Sequence, residues 1–322
     1  MLRVAFVGAL SASFAESVRA HLAVPCEIVL TDESEVISLL AEVDVLVTLV
    51  FTPAMGAAAT RLRLVQVPGA GLDRIDRAAL PATASLANVY GHETGIAEYV
   101  LGAMLAMSRG FGRLDAALRV GRWESQWAPG TPPPPWPELA GRTLGILGYG
   151  HIGQALARRA RAFDMDVLAV RRTAPASDPY ATVCGPDGLD HVLGRADYLA
   201  ITLPLTQATR GLIGEGELRR MKQSAVLVNV ARAEIVDEWA LYRALAERRI
   251  SGAALDVWYH YPAGAAPMLP SRHPFHELAN VLMTPHVSGW TDGMLAARAR
   301  LIAENIRRTA EGVPPANLVP RG

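Results

Sequence analysis

The 322-residue sequence predicts an α/β protein of two doubly wound parallel-sheet domains. Three observations predict it. Short apolar runs alternate with helical patterns over the first ninety residues, and again from Gly141 to Thr284. The second series opens on a strand that turns through Gly148-Tyr-Gly150-His-Ile-Gly153 into a helix, the glycine spacing of a dinucleotide-binding turn. Two long helical patterns, one ending near Val120 and one spanning Gly293–Glu311, carry the chain into the second series and back to the first.

In the first series the predicted strands are Leu2–Val7, Glu27–Leu30, Val43–Val50, Leu62–Val67 and Ser85–Val89, with helices such as Ser11–Leu22 and Ser34–Ala41 between them. Alternation of this kind implies a parallel sheet covered on both faces, with ligands beyond the carboxyl ends of its strands. The fourth strand runs into Gly69-Ala70-Gly71, a loop whose N–H groups either hold a carboxylate or simply make a turn. Residues Trp123 to Pro137, with the run Pro132–Pro135, cannot be helix interior. They read as an extended arm over another subunit or over the chain itself. The second series is read as six strands: Thr143–Leu147, Asp166–Val170, Tyr198–Thr202, Ala225–Val230, Gly252–Val257 and Val281–Thr284, with the next helix within Val183–Leu193 after a turn at Gly185-Pro186-Asp187-Gly188. The expected division is therefore a substrate domain of residues 1–92 and 288–322, interrupted by a dinucleotide domain of residues 93–287.

Lys plus Arg and Asp plus Glu are 31 each, so no global field draws the chain to nucleic acid or an anionic membrane. Its two cysteines, Cys26 and Cys184, have no metal-ligand spacing and suit a reducing cytoplasm. No leader or membrane-spanning run is read. The tail Leu318–Gly322 resembles a protease recognition sequence, a native tail being the other reading, and is set aside from the fold.

Gly148 permits the tight turn, Gly150 lets backbone approach a pyrophosphate, and Gly153 lets the helix pack on its strand. His151 and Ile152 begin that helix, whose N–H groups meet phosphate charge. The next strand of a dinucleotide domain ordinarily ends in an acid that binds the ribose hydroxyls. Here Arg171 and Arg172 stand there, and guanidinium forks suit a 2′-phosphate. NADP is therefore expected over NAD. The other reading is that Arg171 stacks on adenine and both cofactors serve.

Ordered pieces along nearly the whole chain make it resemble the D-isomer-specific 2-hydroxyacid dehydrogenase family. They are Gly69-Ala-Gly71-Leu-Asp73-Arg-Ile-Asp76, Ala97-Glu-Tyr99, Leu139-Ala-Gly141-Arg-Thr-Leu-Gly, the glycine turn, Leu203-Pro-Leu-Thr206 with Thr209, Val228-Asn-Val-Ala-Arg232 with Val236-Asp237, Gly252-Ala-Ala-Leu-Asp256-Val, and Thr284-Pro-His286. The resemblance implies a flavodoxin-like substrate domain interrupted by a Rossmann cofactor domain, a homodimer paired through the cofactor domains, and a small carboxylate substrate. It implies that Arg232 clamps the carboxylate and carbonyl of a 2-oxo acid, that His286 is the general acid, and that the Gly69–Gly71 loop holds the carboxylate. It further implies that Leu203, Pro204, Thr209, Val230, Ala231, Ser288 and Gly289 line the cofactor cleft, and that Asp256 faces the nicotinamide carboxamide.

One position departs. Twenty-nine residues after Arg232, where the family pairs a glutamate with the histidine, this chain has Tyr261. A phenol can orient His286 but cannot stabilise its imidazolium as a carboxylate does. Formate dehydrogenases of the same family also lack the glutamate, and the chain shares Asp256-Val-Trp258 and Pro285-His286-Val-Ser288-Gly289 with them. It has His92 where they place a formate-binding asparagine, and His92 would add a donor or a charge near the substrate. Three functions follow: reduction of a small 2-oxo acid such as glyoxylate or hydroxypyruvate, oxidation of a formate-like anion without a proton relay, or nucleotide sensing with little turnover.

Overall fold

In the computed structural model, which describes residues 1–130, 132–173 and 177–320, every ladder between the strands named below is parallel. The chain divides into two units, Met1–His92 with Trp290–Gly322, and Glu93–Gly289.

The first unit has five strands, β1 (Leu2–Val7), β2 (Cys26–Thr31), β3 (Val45–Val47), β4 (Leu64–Gln66) and β5 (Ser85–Ala87), in the order β2-β1-β3-β4-β5. This is the flavodoxin-like order that the sequence predicts. Alternate residues of a strand face opposite sides, and β1 divides accordingly. Val4 and Phe6 pack with Met294, Ile302 and Ile306 of the helix Asp292–Ala310, whereas Ala5 and Val7 join Val36, Leu40, Phe51 and Met55.

Several predicted bounds shift, for local reasons. The pattern Ser11–Leu22 is two helices, Gly8–Ser13 and Ala15–His21, that meet at the buried Phe14. The helix expected from Ser34 begins at Val36, because the Asp32 carboxylate accepts from Ser34 N, Ser34 Oγ and Glu35 N and holds a turn there. Strands β3, β4 and β5 are shorter than their apolar runs.

The tail needs the largest correction. Leu318 bridges Ala87 in antiparallel fashion and Val319 N donates to Leu86 O at 2.8 Å, so both residues cover the outer edge of β5. Arg321 and Gly322 lie outside the described residues. The wholly buried Asn305 donates to Gln66 Oε1 at 2.7 Å and accepts from Ala316 N at 2.7 Å, tying the approach to the tail to the sheet. After β4, the carbonyls of Gly69 and Ala70 accept from Val89 N (3.2 Å) and Asn88 Nδ2 (3.0 Å), which fixes the Gly69–Gly71 loop. His92 ends this unit's first segment, half-buried.

The second unit has seven strands, β6 (Thr143–Leu147), β7 (Asp166–Val170), β8 (Thr182–Cys184), β9 (Tyr198–Ile201), β10 (Val226–Asn229), β11 (Gly252–Leu255) and β12 (Val281–Met283). Their order is β12-β11-β10-β9-β6-β7-β8, a doubly wound sheet that reverses between β6 and β9. The sequence predicted six. The seventh, β8, occupies the start of the Val183–Leu193 stretch; Gly185-Pro186 interrupts, and the helix is Leu189–Arg195. The long helix into this unit is broken as well. Gly110 takes a left-handed conformation (φ 62°) that ends Glu93–Arg109 and starts Phe111–Arg119. Residues of Trp123–Pro137 form neither helix nor strand among the described residues, Thr131 being outside them. Part of the arm folds on its own chain, where Arg113 pairs with Glu124 and lies over the Trp136 ring at 5.6 Å.

Candidate active site

The reversal of the second sheet places the turn after β6 against the segment after β9. Gly148 has φ +102°, and a Cβ there would lie 2.8 Å from both the Thr202 carbonyl carbon and the Leu203 nitrogen. Only glycine fits. Thr202 Oγ1 donates to Gly148 O at 2.6 Å and closes the contact. At Gly153 a Cβ would meet Gly148 O at 2.5 Å, so this glycine lets the helix His151–Arg161 lie on its strand. Gly150 differs: nothing lies within 4 Å of the Cβ position, which leaves open space at the first turn of that helix. N–H groups of a first helical turn lack intrahelical partners and carry partial positive charge. Close packing at two glycines and open space at the third fit a pyrophosphate.

Beyond β7, Arg171 and Arg172 are exposed, and among the described residues neither guanidinium has a hydrogen bond or ion pair. Leu203 and Pro204 follow β9. The Thr209 hydroxyl, expected at the cofactor, donates to Pro204 O (2.7 Å) and accepts from Thr206 N (2.8 Å). Its structural work is to fold that loop.

Three turns beyond β10, β11 and β12 supply the remaining residues. Asn229, 2% exposed, accepts from Ala231 N at 3.1 Å and donates to Arg232 O at 3.0 Å, which sets the turn of Val230, Ala231 and Arg232. Arg232 is half-buried, and its Nη1 donates to Ala231 O at 2.7 Å. Asp256, beyond β11, is wholly buried. Its Oδ1 accepts from Thr284 Oγ1 (2.6 Å) and Val287 N (2.9 Å), and its Oδ2 from Ser288 N (2.8 Å). The Thr284 hydroxyl spends its hydrogen on this carboxylate, so Tyr99, 2.6 Å away, is the donor to Thr284 Oγ1. Trp258 Nε1 donates to Thr284 O at 2.8 Å. Rather than standing open to a ligand, Asp256 anchors the loop after β12 through three donors.

That loop holds His286 in a left-handed backbone conformation, φ 58°, unusual for a residue with a side chain. Its Nδ1 lies 2.7 Å from the Tyr261 hydroxyl, which also accepts from Trp258 N at 3.3 Å. The partner at the departing position is therefore in contact with the histidine. Partial loss of solvation and the neighbouring Arg232 guanidinium push the pKa of His286, an exposed residue, below its ordinary 6.5, while Asp256 acts in the other direction. Partial loss of solvation also raises the Tyr261 phenol, so Tyr261 keeps its proton at neutral pH. Ser288 is buried beside the anchor and Gly289 ends this unit. Gly69, Ala70, Gly71 and His92 belong to the first unit. Trp258 is core, packed edge-on against Phe275 at 6.4 Å. Thr284, Tyr99 and Asn229 stood inside quoted motifs without a role; nothing in their identities pointed to the bonds they make. Among the described residues no cluster could hold a metal ion, and no helix is long and apolar enough to cross a membrane.

A glycine turn at the reversal of a doubly wound sheet defines the class, the dinucleotide-dependent α/β enzymes. Residues 101–288 match the family model of the D-isomer specific 2-hydroxyacid dehydrogenase, NAD binding domain. The glyoxylate reductase of Korarchaeum cryptofilum is 34% identical over 298 residues, 88% of this chain and 85% of that protein. The hydroxypyruvate reductase of Thermotoga maritima is 33% identical over 266 residues, 81% of this chain and 82% of that protein. Among solved structures, a D-isomer specific 2-hydroxyacid dehydrogenase from Xanthobacter autotrophicus Py2, in complex with NADPH and MES, superposes with a TM-score of 0.79 at 26% identity, covering 99% of this chain and 98% of that one. The chain belongs to the D-isomer-specific 2-hydroxyacid dehydrogenase family. It is an oxidoreductase of a nicotinamide nucleotide, in a family that acts on small carboxylates.

Proposed function

We propose that the chain reduces a small 2-oxo acid, of the size of glyoxylate or hydroxypyruvate, to the D-2-hydroxy acid with NADPH in preference to NADH. The observation that carries this reading is the convergence of Arg232 and His286, each held by a buried side chain on its own turn and close enough for the guanidinium to act on the imidazole. The relatives that reduce glyoxylate and hydroxypyruvate, and the NADPH-bound neighbour, support it.

When bound, the nicotinamide supplies the hydride to the carbonyl carbon. Arg232 binds the carboxylate and polarises the carbonyl oxygen. His286 gives the Nε2 proton to that oxygen as negative charge develops there. Tyr261 holds Nδ1 throughout: its oxygen accepts from Nδ1–H, and its hydrogen turns to Nδ1 when that nitrogen is bare. Arg171 and Arg172 take the 2′-phosphate. Absorbance at 340 nm with NADPH or NADH and a panel of 2-oxo acids tests the reading, and absence of turnover across the panel rejects it.

Reduction needs the charged imidazole, and the lowered pKa confines that form to acid solution. The rate therefore falls as pH rises through a value below 6.5. A carboxylate at Tyr261 would favour the cation, so Tyr261→Glu should move this limb upward by roughly one to two pH units. An unmoved limb in the kcat profile would show that the phenol does not govern the titration.

The uncharged partner of His286 favours one second reading, oxidation of a formate-like anion, which requires no proton relay. Formate with NADP+ in the same assay separates the two. We also propose a homodimer: Phe111, Leu118, Val120, Trp123 and Trp127 expose 52–82% of their surface on consecutive segments, an apolar area suited to a second copy of the chain. Light scattering should give about twice the chain mass of 34.4 kDa, and a monomer at micromolar concentration rejects the dimer.

A further inference from the structure

Tyr149, the middle residue of the glycine turn, takes no part in the chemistry above, yet its ring is 1% exposed. Its hydroxyl donates to Asp178 Oδ1 at 2.6 Å. The same oxygen accepts from Tyr180 N (2.9 Å) and Ala181 N (3.1 Å), a turn that directs the chain into β8. Asp178 thus stands on the segment that returns after Arg171 and Arg172. Two backbone bonds run beside this one: Gly148 N to Val170 O, and Arg171 N to Cys184 O, each 3.0 Å. The backbone bonds fix the root of the loop at β7 and β8, and the phenol reaches its far arm. Burial raises the pKa of Tyr149, and Asp178 raises it further, so the phenol remains a donor at neutral pH.

We propose that the Tyr149–Asp178 hydrogen bond sets cofactor selectivity, by tying the chain at Asp178, where it returns toward β8 after Arg171 and Arg172, to the pyrophosphate turn. Tyr149 and Asp178 are then positioning residues. The inference rests on the reading that the two arginines meet the 2′-phosphate. NADH lacks that phosphate and gains little from a chain anchored at Asp178, whereas NADPH gains an anchorage that it would otherwise have to supply on binding. The three donors on Oδ1 also hold the acidic charge toward the protein, which limits its repulsion of a phosphate.

The test is the dissociation constant of each nucleotide for the full chain, from the fluorescence change on titration without substrate. Tyr149→Phe keeps the ring and removes one charged hydrogen bond, so the constant should rise roughly tenfold for NADPH and less than about threefold for NADH. Asp178→Ala removes the same bond from a half-buried position and should give the same asymmetric loss, should Tyr149→Phe fold poorly. Asp178→Asn keeps a carbonyl acceptor and should restore most of the preference. Equal weakening of both nucleotides, or no change, overturns the proposal. So does a gain in NADPH affinity for Asp178→Asn, which would make the charge rather than the bond the determinant. Arg171→Ala with Arg172→Ala separates the two levels. If this variant keeps wild-type NADPH affinity, the 2′-phosphate reading and the proposal fall together. If it loses affinity while Tyr149→Phe does not, the proposal alone falls.

Discussion

Replacing His286 with alanine should lower kcat for 2-oxo acid reduction by a factor on the order of 10²–10⁴, with dinucleotide affinity little changed. On the proposed reading the imidazole protonates the carbonyl oxygen, and its Nδ1 is occupied by the Tyr261 phenol. Arg232 would still bind the carboxylate, so the loss should fall on kcat more than on KM. The imidazole bonds Tyr261 and feels the charges of Arg232 and Asp256, none of them part of the glycine turn, so the nucleotide titration serves as the internal control. Steady-state kinetics in the reductive direction decide the matter. A variant that retains kcat within about threefold, too little for a lost general acid, would remove His286 from the chemistry.

Asp256→Ala should be the most damaging change that touches no substrate. It strips the acceptor from Thr284 Oγ1, Val287 N and Ser288 N at a wholly buried position. A buried donor left without a partner costs about 1–3 kcal/mol, so three together should cost several. For a unit of this size each kcal/mol lowers the melting midpoint by about 2–4 °C. Activity should fall as well, because the same three bonds oblige His286 to keep its left-handed backbone, which costs free energy that the surroundings must offset. Asp256→Asn should be intermediate: its carbonyl can serve Thr284 and Val287, but its amide then meets the N–H of Ser288. Calorimetry alongside nucleotide titration distinguishes the roles. An Asn variant that melts like the parent but binds NADPH weakly would return the carboxylate to the cofactor, where the family resemblance put it.

How far the sequence could be read follows from the range over which each feature is determined. Strands β1, β6 and β7 are bounded by local signals, an apolar run and a turn, and were placed to the residue. The glycine turn was equally legible, because a site that admits no Cβ is marked by the residue type itself at Gly148 and Gly153. Gly110 carried a signal for the break in the long helix that apolar periodicity outweighed. β8 is three residues long and abuts Gly185-Pro186, so it was not separated from the stretch of the next helix. The pairing of Leu318 with Ala87 spans most of the chain and left no local trace. In the site, Arg232 and His286 stood out by motif, and counting from Arg232 found Tyr261. The donor chain Tyr99–Thr284–Asp256, the Trp258 N–H on the phenol and the Asp178 partner of Tyr149 depend on which side chains the fold brings together.

The covered edge of β5 has a consequence for the order in which the chain can mature. One face of β1 is completed by Met294, Ile302 and Ile306, and the edge of β5 by Leu318 and Val319, all made after the whole of Glu93–Gly289. During synthesis the second unit has every strand of its sheet before the first unit has its last helix. The unit that begins the chain is thus the later one to close. In the interval Val4, Phe6 and the bare rim of β5 are the surfaces that a ribosome-associated chaperone would find.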